Sequence, residues 1–190
     1  MANWTIDQMT QLQKYFIAIL PPPDFLQQVH ELKLKIREEF GVKYALKSPP
    51  HVTLRMPFLY NELKEEKLVG FLNSFAEDYS PFQLQVKGTD QFRRRVIFLD
   101  IHAGEDLFQM QKALRIFCKR NLHLKDELSD LSFHPHMTVA FRDVKKHQFE
   151  AVLNRVQEQG LVANFWVKSF FLLKHENGVW LPKIEILLKK

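Results

Sequence analysis

The sequence predicts an α+β fold with two pseudo-symmetric lobes, each an antiparallel sheet with two helices, facing each other across a central groove. Short apolar runs that end at prolines or turn residues alternate with longer segments of 3.6-residue periodicity. The order strand, helix, strand, helix and final strand or strand pair occurs twice. In both copies the middle strand opens with proline, histidine, an apolar residue and threonine. We therefore expect one bilobal domain over residues 1–190, with interleaved lobes.

The first copy begins with a predicted buried strand at 14–20, KYFIAIL, which ends at three prolines. We expect Asp24 to cap the following helix and Gly41 to end it. The apolar face of this helix carries Phe25, Val29, Leu32, Ile36 and Phe40. HVTLRMPF then predicts a strand, and Asn61 is expected to cap a second helix. The apolar face of that helix carries Leu68, Leu72, Phe75 and Tyr79. Strands are predicted at about 82–88 and 94–101, and the latter, RRVIFLDI, can close the first copy or open the second.

The second copy continues with a third helix, whose apolar face carries Leu107, Met110, Leu114 and Phe117. HMTVAFR then predicts the strand that matches HVTLRMPF. A fourth helix is predicted to end at Gly160, and its apolar residues are Phe149, Val152, Leu153 and Val156. The final two strands are predicted at 164–174 and 179–188, because Glu176-Asn177-Gly178 between them is a strong hairpin signal.

Composition narrows the function classes only modestly. Lys and Arg number 27 against 22 Asp and Glu, a formal charge of +5, which fits an anionic partner or simple solubility. Cys118 is the only cysteine, so an internal disulfide and a zinc-type cysteine cluster are excluded. MANWTIDQMT is unlike a signal peptide, and the apolar run 15–20 is too short to cross a bilayer. We expect a cytoplasmic monomer that does not bind membranes.

The repeated pattern, PHVTL at 50–54 and PHMTV at 135–139, is the most specific feature of the sequence. His-x-Thr alone is a weak signal in a chain with eight histidines. The full five-residue pattern is expected by chance only about 0.002 times at this composition. Because strand residues alternate between faces, each copy is expected to present an imidazole, a hydroxyl and a guanidinium on one face. These side chains are His51, Thr53 and Arg55 in the first copy and His136, Thr138 and Arg142 in the second.

Two facing imidazoles suit phosphodiester chemistry. A neutral histidine can take a proton from a nucleophile while a protonated one donates a proton to the leaving oxygen. Both forms are accessible near neutral pH, because the ordinary histidine pKa is about 6.5. The threonine hydroxyls can hold the non-bridging phosphate oxygens, and Arg55 or Arg142 can add positive charge. A metal or other cofactor is not required.

The chain resembles the two-histidine (2H) phosphoesterase superfamily, whose bacterial members are often called 2′-5′ RNA ligase-like proteins. The resemblance is carried by the two His-x-Thr motifs, by the opening strand KYFIAILPP and by HPHMTVAFRD. It implies metal-independent hydrolysis of 2′,3′-cyclic or other 2′-linked phosphodiesters in nucleotides or RNA ends, with RNA ligation in reverse in some members. It implies further that His51 and His136 are acid and base, in either order, and that Thr53 and Thr138 bind phosphate.

Several alternatives remain open at this stage. His134 with His51 and His136 can be considered as a zinc site, although acidic residues at ligand-like spacing are missing. The run 93–95, three arginines, is either a phosphate-binding patch or a solvated strand entry. Phe16 can stack a base in the groove or belong to the core. The groove can also bind an RNA end or a nucleotide without catalysis, or hydrolyse a small non-nucleotide cyclic phosphate.

Overall fold

The structure, a computed structural model, describes residues 11–190 and contains two four-stranded antiparallel sheets. The first sheet has the order β2-β1-β7-β8, with β1 at Leu12–Ile19, β2 at Val52–Asn61, β7 at Ser169–Glu176 and β8 at Val179–Leu187. The second has the order β5-β4-β3-β6, with β3 at Phe82–Phe92, β4 at Val96–Ala103, β5 at His136–Phe141 and β6 at Val162–Val167. The chain therefore leaves the first sheet after β2, builds the whole second sheet, and returns.

Two long helices cover each sheet, which confirms the predicted α+β class. The helices are α1 (Pro23–Phe40), α2 (Glu65–Ala76), α3 (Glu105–Asn121), the single-turn α4 (Leu128–Leu131) and α5 (Phe149–Gln159). Helices α2 and α3 pack on strands of the first sheet, whereas α1 and α5 pack on strands of the second. Helix α1 thus leaves a strand of one sheet and covers the other. Within residues 11–190, no helix is long and apolar enough to cross a membrane.

Several boundaries differ from the sequence-based expectation. Asn61, expected to cap the second helix, instead caps a short 3-10 turn that precedes α2. The predicted strand 164–174 is two strands, because β6 pairs with β3 in the second sheet and β7 pairs with β1 in the first. The chain changes sheets at Lys168, between them. Helix α1 is preceded by Pro22 at its N-cap, so Asp24 lies in the first turn and is not the cap. Gly41 and Gly160 end α1 and α5 as predicted, both in the left-handed conformation.

The first histidine strand contains a bulge directly after its threonine. Thr53 lies opposite Ala18 of β1, whereas Arg55 lies opposite the next residue, Ile17. Leu54 is therefore the extra residue, and it is buried together with Arg55 on the helix side of the sheet. The expectation that Arg55 shares a face with Thr53 is wrong, because the bulge shifts the alternation of side chains by one residue.

Arg55 is an interior ion-pair residue with 1% of its surface exposed. Its Nη1 donates to Asp130 Oδ2 at 2.7 Å and to Asp126 Oδ1 at 3.1 Å, and its Nη2 donates to the Lys125 carbonyl. The backbone N–H of Met56 donates to the second oxygen of Asp130 at 2.9 Å. The loop that precedes β5 is thereby bound to β2 of the first sheet.

The loop that precedes His51 is bound to the second lobe. Asp143, just past β5, accepts the backbone N–H groups of Lys43 and Tyr44 at 2.8 and 2.9 Å. Lys33 of α1, with 2% of its surface exposed, donates to the carbonyls of Ala45 and Ser48 at 3.1 and 3.2 Å. Each histidine strand is thus entered by a loop that rests on the opposite lobe.

Removing one partner of the buried ion pair is expected to destabilise the fold strongly. Asp130→Ala leaves the Arg55 guanidinium under-compensated in the interior, so we expect the free energy of unfolding to fall by about 3–5 kcal/mol. Urea unfolding measures this. Glu38→Ala is the control, because the Arg37–Glu38 pair is exposed and such pairs contribute about 1 kcal/mol or less. A loss below about 1 kcal/mol for Asp130→Ala would contradict the assignment.

Lys33 is expected to make stability depend on pH above neutrality. Burial lowers the pKa of Lys33 from 10.5 to about 7, so the unfolded chain binds more protons than the folded one between these values. The free energy of unfolding therefore rises with pH across that window, by about 1.4 kcal/mol per unit of pKa difference at most. Urea unfolding at intervals from pH 7 to 10 should show this rise, and Lys33→Met should flatten it. Lys35→Met, at an exposed position on the same helix, is the control and should leave the pH dependence unchanged. An unchanged pH slope in Lys33→Met would contradict the prediction.

Candidate active site

The two histidines stand at equivalent places, where β2 and β5 begin. His51 immediately precedes β2, and His136 is the first residue of β5. Strands β2 and β5 approach each other so closely that Cα atoms of one lie within 8 Å of Cα atoms of the other. Thr53 and Thr138 are half-buried, like both histidines. The register places these threonines opposite Ala18 and Phe98, on the sheet faces turned away from the helices.

Each imidazole makes a hydrogen bond of the same kind, from Nδ1 to the backbone carbonyl two residues earlier. Nδ1 of His51 lies 2.7 Å from the carbonyl oxygen of Pro49, and Nδ1 of His136 lies 2.7 Å from that of His134. A carbonyl only accepts, so Nδ1 carries the hydrogen in both rings. Nε2 is left with a free lone pair when the ring is neutral and with a hydrogen when it is protonated. The intervening residue is a buried proline in both copies, which restricts the residue before it to an extended conformation.

Phenylalanines support both rings from the neighbouring strands. Phe16 lies 4.9 Å from His51, and Phe98 lies 5.1 Å from His136, measured between ring centroids. Phe92 approaches His136 at 5.0 Å. Phe16 is only 3% exposed, which favours the core alternative over a surface for stacking a base. The ring of Phe16 instead fills the space behind His51.

Both histidine pKa values are lowered. Burial lowers the pKa of His51 to about 4; the hydrogen bond to Pro49 opposes this, and the charges of Lys33 and His136 reinforce it. Burial also lowers the pKa of His136, with His134 contributing a carbonyl hydrogen bond that raises it and a charge that lowers it. Both shifts favour the neutral imidazole near pH 7.

Arg142 lies beyond the end of β5 and does not share a face with His136 and Thr138 as expected. A second bulge explains this, because Thr138 is opposite Phe98 whereas Ala140 is opposite Ile97. The extra residue, Val139, shifts the alternation so that Phe141 takes the groove face.

The guanidinium of Arg142 lies 4.7 Å from the centroid of the Tyr44 ring and donates to the Tyr44 hydroxyl. Arg142 itself has φ 62° and is exposed. Neither Arg55 nor Arg142 therefore occupies the position between the two imidazoles that the sequence pattern suggested.

His134 is exposed, and its ring centroid lies 6.5 Å from that of His136. In the part of the chain from residue 11 onwards, no group of three or more His, Cys, Asp or Glu side chains is arranged to hold a metal ion. The zinc arrangement considered from the sequence thus has no complete ligand set among these residues.

Trp180 is a groove residue that the sequence pattern did not identify. It lies on β8 just after the Asn177-Gly178 turn, and its half-buried ring meets Phe16 edge-on at 4.7 Å. The ring of His175 also contacts Trp180, with 4.8 Å between ring centroids. Aromatic side chains therefore continue from His51 across three strands of the first sheet. The sequence did not reveal the order of the strands, which brings β8 near β1, and so did not reveal that Trp180 lies near His51.

Comparison with known proteins places this geometry in a family. The family model described as the 2′-5′ RNA ligase superfamily matches residues 21–179. Proteins of Bacillus pumilus and Oceanobacillus iheyensis, both named "Putative phosphoesterase", are each 27% identical to this chain. Their alignments cover 88% of this chain and 92% and 93% of the relatives.

Solved structures share the fold at low sequence identity. Apo LigT of Escherichia coli is 20% identical with a TM-score of 0.61, over 95% of this chain and all of LigT. TT0787 of Thermus thermophilus is 19% identical with a TM-score of 0.64, over 93% of this chain and 98% of that protein. The fold is therefore LigT-like. With a family match that spans most of its length, this chain belongs to the 2′-5′ RNA ligase superfamily, that of the 2H phosphoesterases.

Proposed function

We propose that this protein is a metal-independent phosphodiesterase that hydrolyses 2′,3′-cyclic phosphates or 2′-5′ phosphodiester bonds in RNA ends or nucleotides. We propose further that it acts in the cytoplasm as a monomer, since one chain supplies both histidines and its single cysteine is a buried thiol. The observation that best supports this proposal is the pair of Nδ1–H imidazoles, each fixed by a hydrogen bond to the carbonyl two residues before it. That arrangement leaves both Nε2 atoms available for proton transfer at one phosphate.

In the proposed reaction, Nε2 of one neutral histidine takes a proton from water as its oxygen attacks phosphorus. The bond between phosphorus and a ribose oxygen breaks, and Nε2–H of the other histidine protonates the departing oxygen. The Thr53 and Thr138 hydroxyls bind the non-bridging oxygens. Both threonines are half-buried and lie opposite Ala18 and Phe98, on the same sheet faces as the histidines. The product is a phosphomonoester, and the two histidines have exchanged protonation states.

The lowered pKa values fit a site that becomes charged only when substrate binds. An anionic phosphodiester beside the imidazoles favours their protonated forms and so raises the pKa of at least one of them. One proton then resides on the pair, which is the state that acid–base catalysis requires. The nucleotide class of ligand is supported by the solved complex of the structurally similar LigT with 3′-AMP, whose TM-score is 0.64.

The aromatic cluster beside His51 provides a surface for a base. Trp180 is half-buried and so more accessible than Phe16, which is 3% exposed. We propose that the base of the terminal nucleotide stacks on Trp180 while its phosphate lies between the histidines. Stacking is tolerant of base identity, so this contact binds nucleotides without selecting among them.

Replacing either histidine is expected to abolish most turnover while preserving the fold. His51→Ala and His136→Ala should each lower kcat on a 2′,3′-cyclic nucleotide by about 10²–10⁴-fold, because each removes one proton-transfer group. Product formation followed by chromatography measures this, with circular dichroism to check folding. His30→Ala, on α1, is the matched control and should retain full turnover. Wild-type turnover in either active-site variant, or binding without any product from the wild type, would overturn the proposed function.

Trp180→Ala is expected to weaken nucleotide binding. Loss of one base-stacking contact should raise KM by about 5- to 150-fold, more than it lowers kcat. Steady-state kinetics on 2′,3′-cyclic mononucleotides measures the two constants. Leu181→Ala, the next residue on β8 and 40% exposed, is the control because adjacent strand residues point to opposite faces. An unchanged KM in Trp180→Ala, or an equal rise in Leu181→Ala, would show that the base lies elsewhere.

A further inference from the structure

A basic groove lies at the tip of the β3–β4 hairpin, at the end of the second sheet. Its volume is about 790 Å³, and it is lined by five cationic side chains, Arg93, Arg94, Arg95, Arg142 and Lys146. The floor is apolar and includes Val96 and Phe141. The sequence alone left the three hairpin arginines undecided between a phosphate-binding patch and a solvated strand entry.

Most of the positive charge in this groove is uncompensated. Arg94 pairs with Glu150. Over residues 11–190, Arg93, Arg95 and Lys146 form no salt bridge. The contacts of the Arg142 guanidinium are with neutral groups, the hydroxyl and ring of Tyr44 and the ring of Phe141. All five cationic residues are exposed. Several like charges facing one concave space produce a positive potential that attracts a polyanion.

The groove is continuous with the face that carries His136. Val96 is paired with both Phe92 and Phe141, and Phe92 contacts the ring of His136 at 5.0 Å. Val96 also lies two residues from Phe98 on β4, hence on the same face. Strand β5 runs from His136 to Phe141, a distance of roughly 16–17 Å for an extended strand. A mononucleotide with its phosphate at the histidines does not span this distance, whereas three to five nucleotides of a strand do, at roughly 3.4 Å or more per phosphate.

We propose that this groove binds the sugar-phosphate backbone of a single-stranded RNA whose terminal phosphate lies at the histidines. The proposal rests on the proposed function and narrows its substrate class from nucleotides in general to RNA ends. The cations would contact the phosphates on the 5′ side of the reacting end. The apolar floor would accept base or sugar surface, a combination of charge and apolar contact typical of single-strand sites. A concave groove of about 790 Å³ has room for part of a strand and is poorly shaped for a flat lipid surface.

Direct binding tests the subsite without requiring turnover. The probe is a fluorescent single-stranded RNA octamer that ends in a 3′-phosphate, titrated with the full chain at several salt concentrations. Arg93→Gln with Arg95→Gln should weaken binding by about tenfold or more at low salt. It should also reduce the slope of log K against log salt by about 1.4, since each lost phosphate contact on a single strand contributes about 0.7.

The control removes the same charge elsewhere. Lys112→Gln with Arg120→Gln neutralises two exposed cations on α3, which packs on the first sheet away from the groove. This variant should bind the RNA within about twofold of the wild type. An unchanged salt slope in the Arg93/Arg95 variant, or an equal loss in the control, overturns the proposal. The proposal is also overturned if the Arg93/Arg95 variant loses binding to anionic vesicles while its RNA binding stays intact.

Kinetics separates failure of the subsite from failure of the proposed function. With the same RNA ending in a 2′,3′-cyclic phosphate, the Arg93/Arg95 variant should lower the ratio of kcat/KM for RNA to kcat/KM for the cyclic mononucleotide by about tenfold. A wild type that hydrolyses both substrates, with no change of this ratio in the variant, refutes the subsite alone. A wild type that hydrolyses neither, while RNA binding is lost in the variant, refutes the proposed reaction and supports the subsite.

Discussion

The hydrogen bond from each imidazole to the carbonyl two residues earlier determines what this site can do. Because Nδ1 must donate, each neutral ring has a single tautomer, with its basic nitrogen free. Because the donor and acceptor are only two residues apart, the ring orientation is set locally, within Pro49–His51 and His134–His136. The buried proline between them stiffens the short segment. The repeated proline-histidine pattern thus fixes the orientation of each imidazole locally.

The distance between the two imidazoles depends on long-range contacts. The loop before His51 is bound to the second lobe through Asp143 and Lys33, and the loop before His136 is bound to β2 through the Arg55–Asp130 pair. Each lobe therefore holds the entry to the histidine strand of the other. Helix α1 also joins the two lobes, because it follows a strand of the first sheet and packs on the second. Separation of the lobes would break buried hydrogen bonds and an ion pair, which opposes widening of the groove.

Local sequence signals predicted the elements of this fold well and their pairing less well. Apolar spacing, Gly41 and Gly160 identified the long helices, and the Asn177-Gly178 turn identified the last hairpin. Bulges have no comparable signal in a single sequence, so strict alternation misplaced Arg55 and Arg142. The change of sheet at Lys168 also has no signal in a single sequence, so residues 164–174 were predicted as one uninterrupted strand. The His-x-Thr positions were identifiable because their pattern occurs twice, whereas Trp180 became visible only once β8 was known to lie near β1.

The two bulges also keep both arginines away from the histidines. If both strands alternated regularly, Arg55 and Arg142 would stand beside the histidines and their charges would lower the imidazole pKa values further. The bulge in β2 instead buries Arg55 against two carboxylates, and the bulge in β5 places Phe141 on the groove face. The described face beside the histidines then carries the Thr53 and Thr138 hydroxyls and the rings of Phe16 and Phe98, and neither guanidinium. In the proposed reaction, a bound phosphate would be the dominant local charge, so that binding an anion and acquiring a proton would be favoured together. The excess positive charge at the β3–β4 tip would then attract a polyanion without suppressing protonation of the proposed acid.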